Sequence, residues 1–380
     1  MNIAYVCNLC IPSRTAASVH VMKMCSAFAA EGNNVTLFIP FLRKEEPGVE
    51  NIYDFYGIPE NFNVEKIRFR VPFIKVLRTL GYSFIAAHYI KRKGFDCVYG
   101  RDLYICYISA RVFNVPVFFE RHTPFKPVSK ILFRSLSTSK QFRKLIVITD
   151  TLKQHFLKHH KIDADKIYVA PDGADAIEDT LVPKELIGKS IGMFHVGYIG
   201  HLYKGRGMEI MEDLATKCHY AFFHIVGGRD SDIQYWKERL SHKDNIHFYG
   251  YVPHSQTASY GKSMDILIAP YQNKVYTAVA TKSSQGTARW MSPLKIFEYM
   301  SMGKPIICSD LPVLREVLVD GETCIMCPPD DIDKWCEAIK KLHENQEFID
   351  TIASNALSGF KKYTWRQRAK NLVELIEHGL

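Results

Sequence analysis

The sequence predicts an α/β protein of two domains, each built around a doubly wound parallel sheet with helices on both faces. The chain has 380 residues, more than one ordinary hydrophobic core serves. In both halves, short apolar segments alternate with helical patterns, as they do when crossover helices join parallel strands. With 47% hydrophobic and 23% charged residues, the composition is typical of a globular protein.

The first half contains five predicted strands and three predicted helices. The strands are Ile3–Val6, Val35–Ile39, Cys97–Tyr99, Val115–Phe119 and Leu145–Ile148, and the helices are Val19–Ala30, Tyr104–Val112 and Leu152–His159. The loop after the first strand has no G-x-G-x-x-G motif, so it lacks the dinucleotide-binding fingerprint.

Several polar side chains follow these strands, and ligands bind at the carboxyl ends of strands in such sheets. His122 follows the fourth strand and is a candidate for contact with a substrate. Arg101 takes the corresponding place after the third strand, where an ion pair with Asp102 is an equally good account. Ser18 and His20 follow the first strand, and we expect them to line a cleft, with a structural role for His20 as the alternative.

The first half also carries all of the excess positive charge. Residues 1–190 contain 27 Lys and Arg against 18 Asp and Glu, whereas residues 191–380 contain 22 of each. Arg68, Arg70, Lys75 and Arg78 are interleaved with apolar residues, and a second basic stretch covers residues 125–134. This pattern suits a helix in a membrane interface, with a solvated helix face as the alternative. No nucleic-acid recognition motif accompanies it. We therefore expect an anionic membrane surface as a partner.

Other features bear on the compartment and on metals. No apolar run reaches the roughly 18 residues that a membrane span needs, and the N-terminus resembles a first strand more than a signal peptide. The ten cysteines lie mostly in apolar segments, which favours a reducing, cytoplasmic location. Together with the basic first half, this leads us to expect the protein at the inner face of the membrane. The C-x-x-C pairs at 7–10 and 324–327 and the three Asp-x-Asp pairs fit strands and helix starts better than metal sites.

The second half begins after a linker that we place at residues 176–192. Strands are predicted at Met193–Tyr198, Ala221–Val226, Ile246–Tyr249 and Met264–Ile268. After the first of these come Gly200, Lys204 and Arg206, and a helix from Met208. Glycines and two cations between a strand and a helix make a plausible pyrophosphate clamp.

The segment Ser292–Gly303 carries the strongest local signal. Ser292 is a natural N-cap, Pro293 suits the first helical position, and Gly303 ends the helix. The helix start would offer free N–H groups and a positive dipole end beside Lys295, which favours a phosphate. Glu298, one turn further on, could accept hydrogen bonds from the hydroxyls of a ribose, unless it lies on a solvated helix face.

Taken together, these segments resemble the retaining glycosyltransferases of family GT4, which have the GT-B fold. The resemblance covers nearly the whole chain and is most specific in residues 292–310. Supporting motifs are Ser-Val-His20, Glu120-Arg-His122, Val147-Ile-Thr149, Pro171-Asp-Gly173, Tyr198-Ile-Gly200, Gly250-Tyr-Val-Pro253 and Tyr363-Thr-Trp365.

The resemblance implies a role for each matching position. Glu298 corresponds to the second Glu of the family's E-x7-E motif, which binds the ribose of a nucleotide sugar. Arg206, with Lys204 as the competing candidate, would neutralise the diphosphate, and His122 would approach the donor sugar. Further nucleotide-sugar contacts would come from residues that flank the same strands and helix, namely Gly200, Tyr251, Val252, Ser292, Pro293, Leu294 and Lys295.

Two positions depart from the family pattern. The first Glu of the E-x7-E motif is replaced by Trp290, which leaves the identity of the donor sugar open. The first loop has Ala16-Ala17 where the family often has Gly-Gly. We interpret both changes as marks of a subtype that is still active.

The resemblance thus implies two Rossmann-like domains that face each other across a cleft: residues 1–182 for the acceptor, 183–360 for the nucleotide sugar, and a C-terminal helix, 361–380, that crosses back. The expected reaction is metal- and cofactor-independent transfer of a hexose from a UDP- or GDP-sugar to a hydroxyl of a lipid-linked or polysaccharide acceptor, in bacterial envelope polysaccharide synthesis. The alternatives are a GT-B-fold sugar-nucleotide epimerase and a non-catalytic glycan-binding protein of the membrane surface.

Overall fold

The computed structural model describes residues 1–41, 46–69, 75–178, 180–188, 192–276 and 288–380. It divides the chain into two compact units. The first comprises Met1–Asp172 and Trp365–Leu380, and the second is Gly173–Thr364. The sequence had placed this boundary between residues 182 and 183.

The first unit is built on a seven-stranded parallel sheet with the strand order β3-β2-β1-β4-β5-β6-β7. Its elements are β1 (Asn2–Val6), α1 (Ala16–Ala30), β2 (Asn34–Pro40), α2 (Ile52–Tyr56), β3 (Asn63–Ile67), α3 (Lys75–Lys93), β4 (Cys97–Gly100), α4 (Leu103–Arg111), β5 (Val117–Arg121), α5 (Pro127–Ser137), β6 (Phe142–Val147), α6 (Asp150–His159) and β7 (Ile167–Val169). The order reverses between β1 and β4, and ligands of such sheets bind at this kind of switch point.

The second unit is built on a six-stranded parallel sheet with the order β10-β9-β8-β11-β12-β13. Its elements are β8 (Phe194–Ile199), α7 (Met208–Lys217), β9 (Ala221–Val226), α8 (Asp230–Arg239), β10 (Ile246–Gly250), α9 (His254–Ser263), β11 (Ile266–Ala269), α10 (Leu294–Ser301), β12 (Ile306–Ser309), β13 (Ile325–Cys327), α11 (Ile332–His343) and α12 (Gln346–Phe360). The last helix, α13 (Trp365–Gly379), belongs to the first unit.

Both sheets are covered on their two faces, which explains the continuous apolar runs in the sequence. All six residues of β8 and all six of β9 are buried. In the first unit, Tyr99 packs against Tyr5 and Phe28, with ring centroids 5.2 and 5.0 Å apart. The two-domain, doubly wound α/β architecture predicted from the sequence is therefore confirmed.

The structure corrects several local predictions. Helix α1 begins at Ala16, three residues earlier than predicted, because the Thr15 side chain accepts a hydrogen bond from the amide of Ser18 and caps it. The strands β3 and β7 were not predicted. Both lie at sheet edges, and only Ile167 among their eight residues is fully buried, so their apolar signal is weak. Among the described residues, no helix is long and apolar enough to cross a membrane.

Candidate functional site

In the second unit, helix α10 is fixed against the carboxyl ends of two central strands. The hydroxyl of Tyr299 accepts a hydrogen bond from the amide of Ile199 in β8 (2.8 Å) and donates one to the carbonyl of Ile268 in β11 (3.3 Å). The helix N-terminus therefore lies where a parallel sheet binds its ligands.

The start of α10 differs by one residue from the prediction. Pro293 is the N-cap, with extended backbone (φ −77°, ψ 120°), and the helix begins at Leu294. Proline has no side-chain acceptor, and no side-chain hydrogen bond caps the described first turn. Ser292, predicted as the cap, is buried just outside the helix. Among the described residues, the first-turn amides and the positive end of the helix dipole therefore have no side-chain cap.

Lys295 is the most unusual side chain in this region. It is only 6% exposed, and its Nζ has no hydrogen-bond partner among the described residues. The ammonium lies 3.4 Å from the centroid of the Tyr198 ring and 5.4 Å from that of Tyr271. Burial, and then the charge of Arg206, lower the pKa of Lys295 well below its usual range, against the opposing effect of Glu298. Such a cation gains most from an anion that enters the site.

Gly200 makes room for this lysine at the end of β8. Its backbone has a φ of +143°, and a Cβ there would lie 3.0 Å from Cε and 3.3 Å from Nζ of Lys295. A larger residue would therefore push the lysine head away. The predicted Gly200 and Lys295 are thus brought together by the structure.

The two competing cations after β8 have different surroundings. Arg206 is half-buried, has an Nε without a partner among the described residues, and is close enough to depress the pKa of Lys295. The side chain of Lys204 is exposed. The carboxylate of Glu209 accepts from the amides of Gly205 (2.6 Å) and Gly207 (3.2 Å). Those amides are therefore occupied, and an anion here would be held by side chains.

Glu298 has a partner that the sequence analysis missed. Its Oε1 lies 2.8 Å from Nε2 of His254, the first residue of α9, and both side chains are partly exposed. The position of His254 directly after the Gly250–Pro253 motif was the available signal. Arg206, His254, Lys295 and Glu298 form what we call the α10 cluster.

The remaining predicted residues of the second unit surround the same edge of the sheet. Tyr251 follows β10 and is 37% exposed, whereas Val252 is buried in the hydrophobic core. Trp290 occupies the place of the family's first Glu, eight residues before Glu298, and its ring lies under the guanidinium of Arg289 at 5.2 Å. An indole cannot offer the two acceptor oxygens that a carboxylate gives to sugar hydroxyls.

The first unit contains a second cluster, at the carboxyl end of β5. It consists of His20, Glu120, His122, Asp172 and Arg368, and we call it the β5 cluster. Oε1 of Glu120 lies 2.8 Å from Nε2 of His20, 2.5 Å from Nε2 of His122 and 3.2 Å from a terminal nitrogen of Arg368. Burial alone would raise the pKa of Glu120, but Arg368 and His20 hold it well below its usual range.

His122 directly follows β5, as predicted. Burial and the charge of Arg101 lower its pKa to about 4, although Glu120 opposes this change. The ring is therefore neutral at pH 7. Arg101 follows β4, and its influence on His122 brings these two predicted residues together.

Within the same cluster, His20 bridges two carboxylates. Its Nδ1 lies 2.9 Å from Oδ1 of Asp172, and its ring packs edge-on against Trp365 of α13 at 5.3 Å. Asp172, Glu120 and Arg368 were not among the predicted site residues, since the ion pair of Arg368 spans 248 residues of sequence.

Two histidines and two carboxylates also have the chemistry of a metal site. The four residues His20, Glu120, His122 and Asp172 offer ligand atoms within 4.8 Å of one another. However, the separations from Glu120 Oε1 to the two rings are hydrogen-bond and ion-pair distances, and Arg368 already supplies a cation. We interpret the cluster as a buried ion-pair network.

Ser18 lies in the first turn of α1. Its hydroxyl donates to the carbonyls of Ser13 (2.6 Å) and Thr15 (2.8 Å), and the side chain is fully buried. These bonds order the loop before the helix. Ser18 therefore shapes the loop before α1, the helix that carries His20 two residues further along.

The predicted basic surface is only partly described. Arg70 and the side chain of Lys75 lie outside the described residues. Arg68 and Arg78 are exposed, and the Arg68 guanidinium lies 4.3 Å from the centroid of the Phe41 ring.

Comparisons with known proteins agree with this architecture. Residues 17–177 match the family model for glycosyltransferase family 4, and residues 194–345 match the model for glycosyl transferases group 1. The two models together cover most of both units.

Two relatives illustrate the range of this similarity. A D-inositol 3-phosphate glycosyltransferase of Arthrobacter sp. (strain FB24) is 20% identical, over 94% of this chain and 88% of that protein. The O-antigen chain mannosyltransferase RfbU of Salmonella typhimurium is 23% identical, over 67% of this chain and 64% of its own. Among solved structures, Anabaena HepE in complex with UDP and glucose has a TM-score of 0.72 at 14% identity, with 99% of both chains covered.

Proposed function

The chain belongs to the group 1 and family 4 glycosyltransferases, and from that premise we propose that it is a retaining hexosyltransferase that uses a UDP- or GDP-sugar. The proposal assigns the nucleotide to the α10 cluster of the second unit. The acceptor is a hydroxyl of a lipid-linked or polysaccharide molecule. The acceptor class is supported by the similarity to the O-antigen chain mannosyltransferase. The nucleotide-sugar donor is supported by the similarity to HepE, whose structure holds UDP and glucose.

One observation carries the donor assignment: the buried ammonium of Lys295, which has no hydrogen-bond partner among the described residues. A buried cation without an anion is costly, and it lies beside Arg206 at an uncapped helix N-terminus. A diphosphate would supply the missing negative charge to both side chains. Glu298, one turn along α10 and held by His254, is placed to accept hydrogen bonds from ribose hydroxyls.

The proposed reaction needs no side-chain nucleophile and no metal. The acceptor oxygen attacks the anomeric carbon on the face from which the diphosphate leaves. The bond between that carbon and the phosphate oxygen breaks, and the acceptor proton passes to the departing phosphate. Lys295, Arg206 and the first amides of α10 stabilise the developing negative charge, a contribution of roughly 2.7–4 kcal/mol for each well-placed donor.

An exposed apolar and basic surface on the first unit supports a lipid-linked acceptor. On α5, Val128 and Ile131 are 76% and 75% exposed, three residues apart on one helix face. Lys130 and Arg134 are exposed beside them, and residues 121–149 contain no Asp or Glu. An apolar stripe with flanking cations is the pattern of an interfacial helix on anionic lipid. We therefore include attachment to an anionic membrane surface in the proposal.

The first test is a thermal-shift panel with UDP, GDP, ADP and CMP, each with and without Mg²⁺. A ligand at 100 times its Kd stabilises the folded protein by about 2.7 kcal/mol. We expect one nucleotide to raise the melting temperature equally with and without the metal. No response to any nucleotide would favour the non-catalytic glycan-binding alternative, and a response that requires Mg²⁺ would contradict the metal-independent mechanism.

The second test separates transfer from epimerisation. Incubation of the donor with and without a lipid-linked acceptor should give glycosylated acceptor only when acceptor is present. A new nucleotide sugar formed without any acceptor would support the epimerase alternative. In the same assay, Glu298→Ala should abolish most turnover without unfolding the protein, and turnover at the wild-type rate would refute the assigned role.

The membrane component has its own test. Co-sedimentation with vesicles that contain phosphatidylserine should fall when Val128 and Ile131 are both replaced by serine, and when Arg68, Arg70, Lys75 and Arg78 are neutralised. Replacement of Val182, an exposed apolar residue of the second unit, by serine is the matched control. Unchanged binding in both sets of variants would contradict the membrane assignment.

A further inference from the structure

The β5 cluster is organised around one carboxylate. Both oxygens of Glu120 are engaged: Oε2 accepts a hydrogen bond from the hydroxyl of Tyr99, and Oε1 faces His20, His122 and Arg368. Glu120 is completely buried, and the surrounding cations keep it ionised. An ionised carboxylate can only accept hydrogen bonds.

This environment decides which nitrogen of His122 carries the proton. Nε2 lies 2.5 Å from Oε1 of Glu120, so Nε2 must be the donor. The pKa of His122 is lowered to about 4, so at pH 7 the ring holds only this proton. Nδ1 is therefore left with its lone pair. Within the described part of the chain, no group donates a hydrogen bond to Nδ1, and the side chain retains 15% exposure.

We propose that Glu120 and Arg368 are positioning residues that hold His122 as the neutral Nε2–H tautomer and so present Nδ1 as a hydrogen-bond acceptor to a ligand hydroxyl. That the hydroxyl belongs to a sugar rests on the function proposed above. The tautomer itself follows from the contacts and the charges of the first unit alone.

Arg368 has this role because of its geometry as well as its charge. Its Nε donates to the carbonyl of Pro171 (2.9 Å), and one terminal nitrogen contacts Glu120 and the carbonyl of Ala170 (3.3 Å). The side chain is 4% exposed. A planar guanidinium satisfies these three acceptors at once, whereas a lysine offers a single nitrogen. Helix α13 thus contributes to the environment of a strand that precedes it by about 250 residues.

The contact with Glu120 also limits the chemistry that His122 can perform. A nitrogen that is held in a hydrogen bond to Glu120 cannot donate to a substrate, and a neutral ring with a low pKa is a poor acid. The charged groups that face it are Glu120 on its own strand, His20 on α1, Arg101 after β4 and Asp172 after β7. Through Nδ1, His122 orients a hydroxyl by accepting its hydrogen bond.

The test is NMR of the full-length protein with ¹⁵N-labelled histidine, using long-range ¹H–¹⁵N correlations that distinguish the two neutral tautomers and the imidazolium. The His122 signals are assigned by their loss in His122→Asn. We expect the Nε2–H pattern, unchanged from about pH 6 to about pH 8. A Nδ1–H pattern, or a titration near pH 6.5, would overturn the proposal.

Variants of α13 test the part played by Arg368. In Arg368→Met and Arg368→Lys we expect the His122 signals to move away from the Nε2–H pattern. Arg366→Met is the matched control, because Arg366 lies on the same helix, is 78% exposed and pairs with Glu31. Wild-type signals in a folded Arg368 variant would overturn the role of Arg368. These spectra are recorded without any nucleotide sugar. A failure to find transferase activity would therefore refute the proposed function without changing the conclusion about the tautomer of His122.

Discussion

Replacement of Lys295 by methionine tests the proposed donor site through two opposite effects. The ammonium is buried and lacks a hydrogen bond among the described residues, so its desolvation costs several kcal/mol. The contact with the Tyr198 ring, at 3.4 Å from the centroid, returns about 2 kcal/mol. Methionine has a similar length and no charge, and it adapts to irregular space. We therefore expect the free variant to be more stable than the wild type by about 1–2 kcal/mol.

The response to nucleotide should change in the other direction. Removal of one charged contact to a phosphate costs roughly 2.7 kcal/mol, which raises Kd about 100-fold. A nucleotide at 100 times the wild-type Kd would then stabilise the variant by about 0.4 kcal/mol, compared with about 2.7 kcal/mol for the wild type. For a domain of the size of the second unit, a change of 1 kcal/mol in the free energy of unfolding shifts Tm by about 2–4 °C.

Differential scanning fluorimetry, with and without the nucleotide that the panel identifies, measures both quantities. Lys237→Met is the control, because Lys237 is exposed on α8 and should leave both values unchanged. A Lys295→Met variant that melts lower than the wild type, yet keeps the full nucleotide shift, would refute the proposal that the buried Lys295 ammonium binds a phosphate of the nucleotide.

Three other predictions concern the second unit. Arg206→Met should remove most of the nucleotide shift while Lys204→Met should not, because Arg206 is half-buried and depresses the pKa of Lys295, whereas Lys204 is exposed; equal losses in calorimetric Kd would contradict this. His254→Ala should weaken nucleotide binding by about 1 kcal/mol, and the preference for a ribose over a 2′-deoxyribose diphosphate should shrink in both His254→Ala and Glu298→Ala. Burial lowers the pKa of His224 to about 3, below its unfolded value of about 6.5. As the pH decreases from about 6.5 towards 3, the unfolded chain therefore binds the extra proton first, and the free energy of unfolding falls. The contribution of His224 to this loss should reach about 3 kcal/mol by pH 4, measured as the difference between the urea unfolding profiles of the wild type and His224→Gln, and parallel profiles between pH 6 and 4 would refute the assignment.

Much of the fold followed directly from local sequence patterns. The strands β8 and β9 are continuous apolar runs because both faces of the sheet are covered, and Ala221–Val226 was predicted with its exact bounds. Edge strands such as β3 were missed because exposure on one side removes most of their apolar signal.

The candidate site was only partly visible in the sequence. Lys295 and Glu298 are three residues apart on one helix, so a local motif places both of them on the same face. His254 lies 44 residues before Glu298, and no periodicity connects the two. Likewise, the sequence offered both Lys204 and Arg206, and only their different burial favours Arg206.

By itself, the sequence determined the alternation of strands and helices and the position of His122 after a strand, and it predicted phosphate binding at the α10 segment, because each of these depends on residues within a few turns of one another. Tertiary structure alone decided that Lys295 is buried with no hydrogen bond to any described residue, that His254 contacts Glu298, and that Arg368 contacts Glu120. Burial and the pairing of charges arise when distant segments pack together. These two effects determine the protonation of His122 and explain why an anion would stabilise the charged form of Lys295.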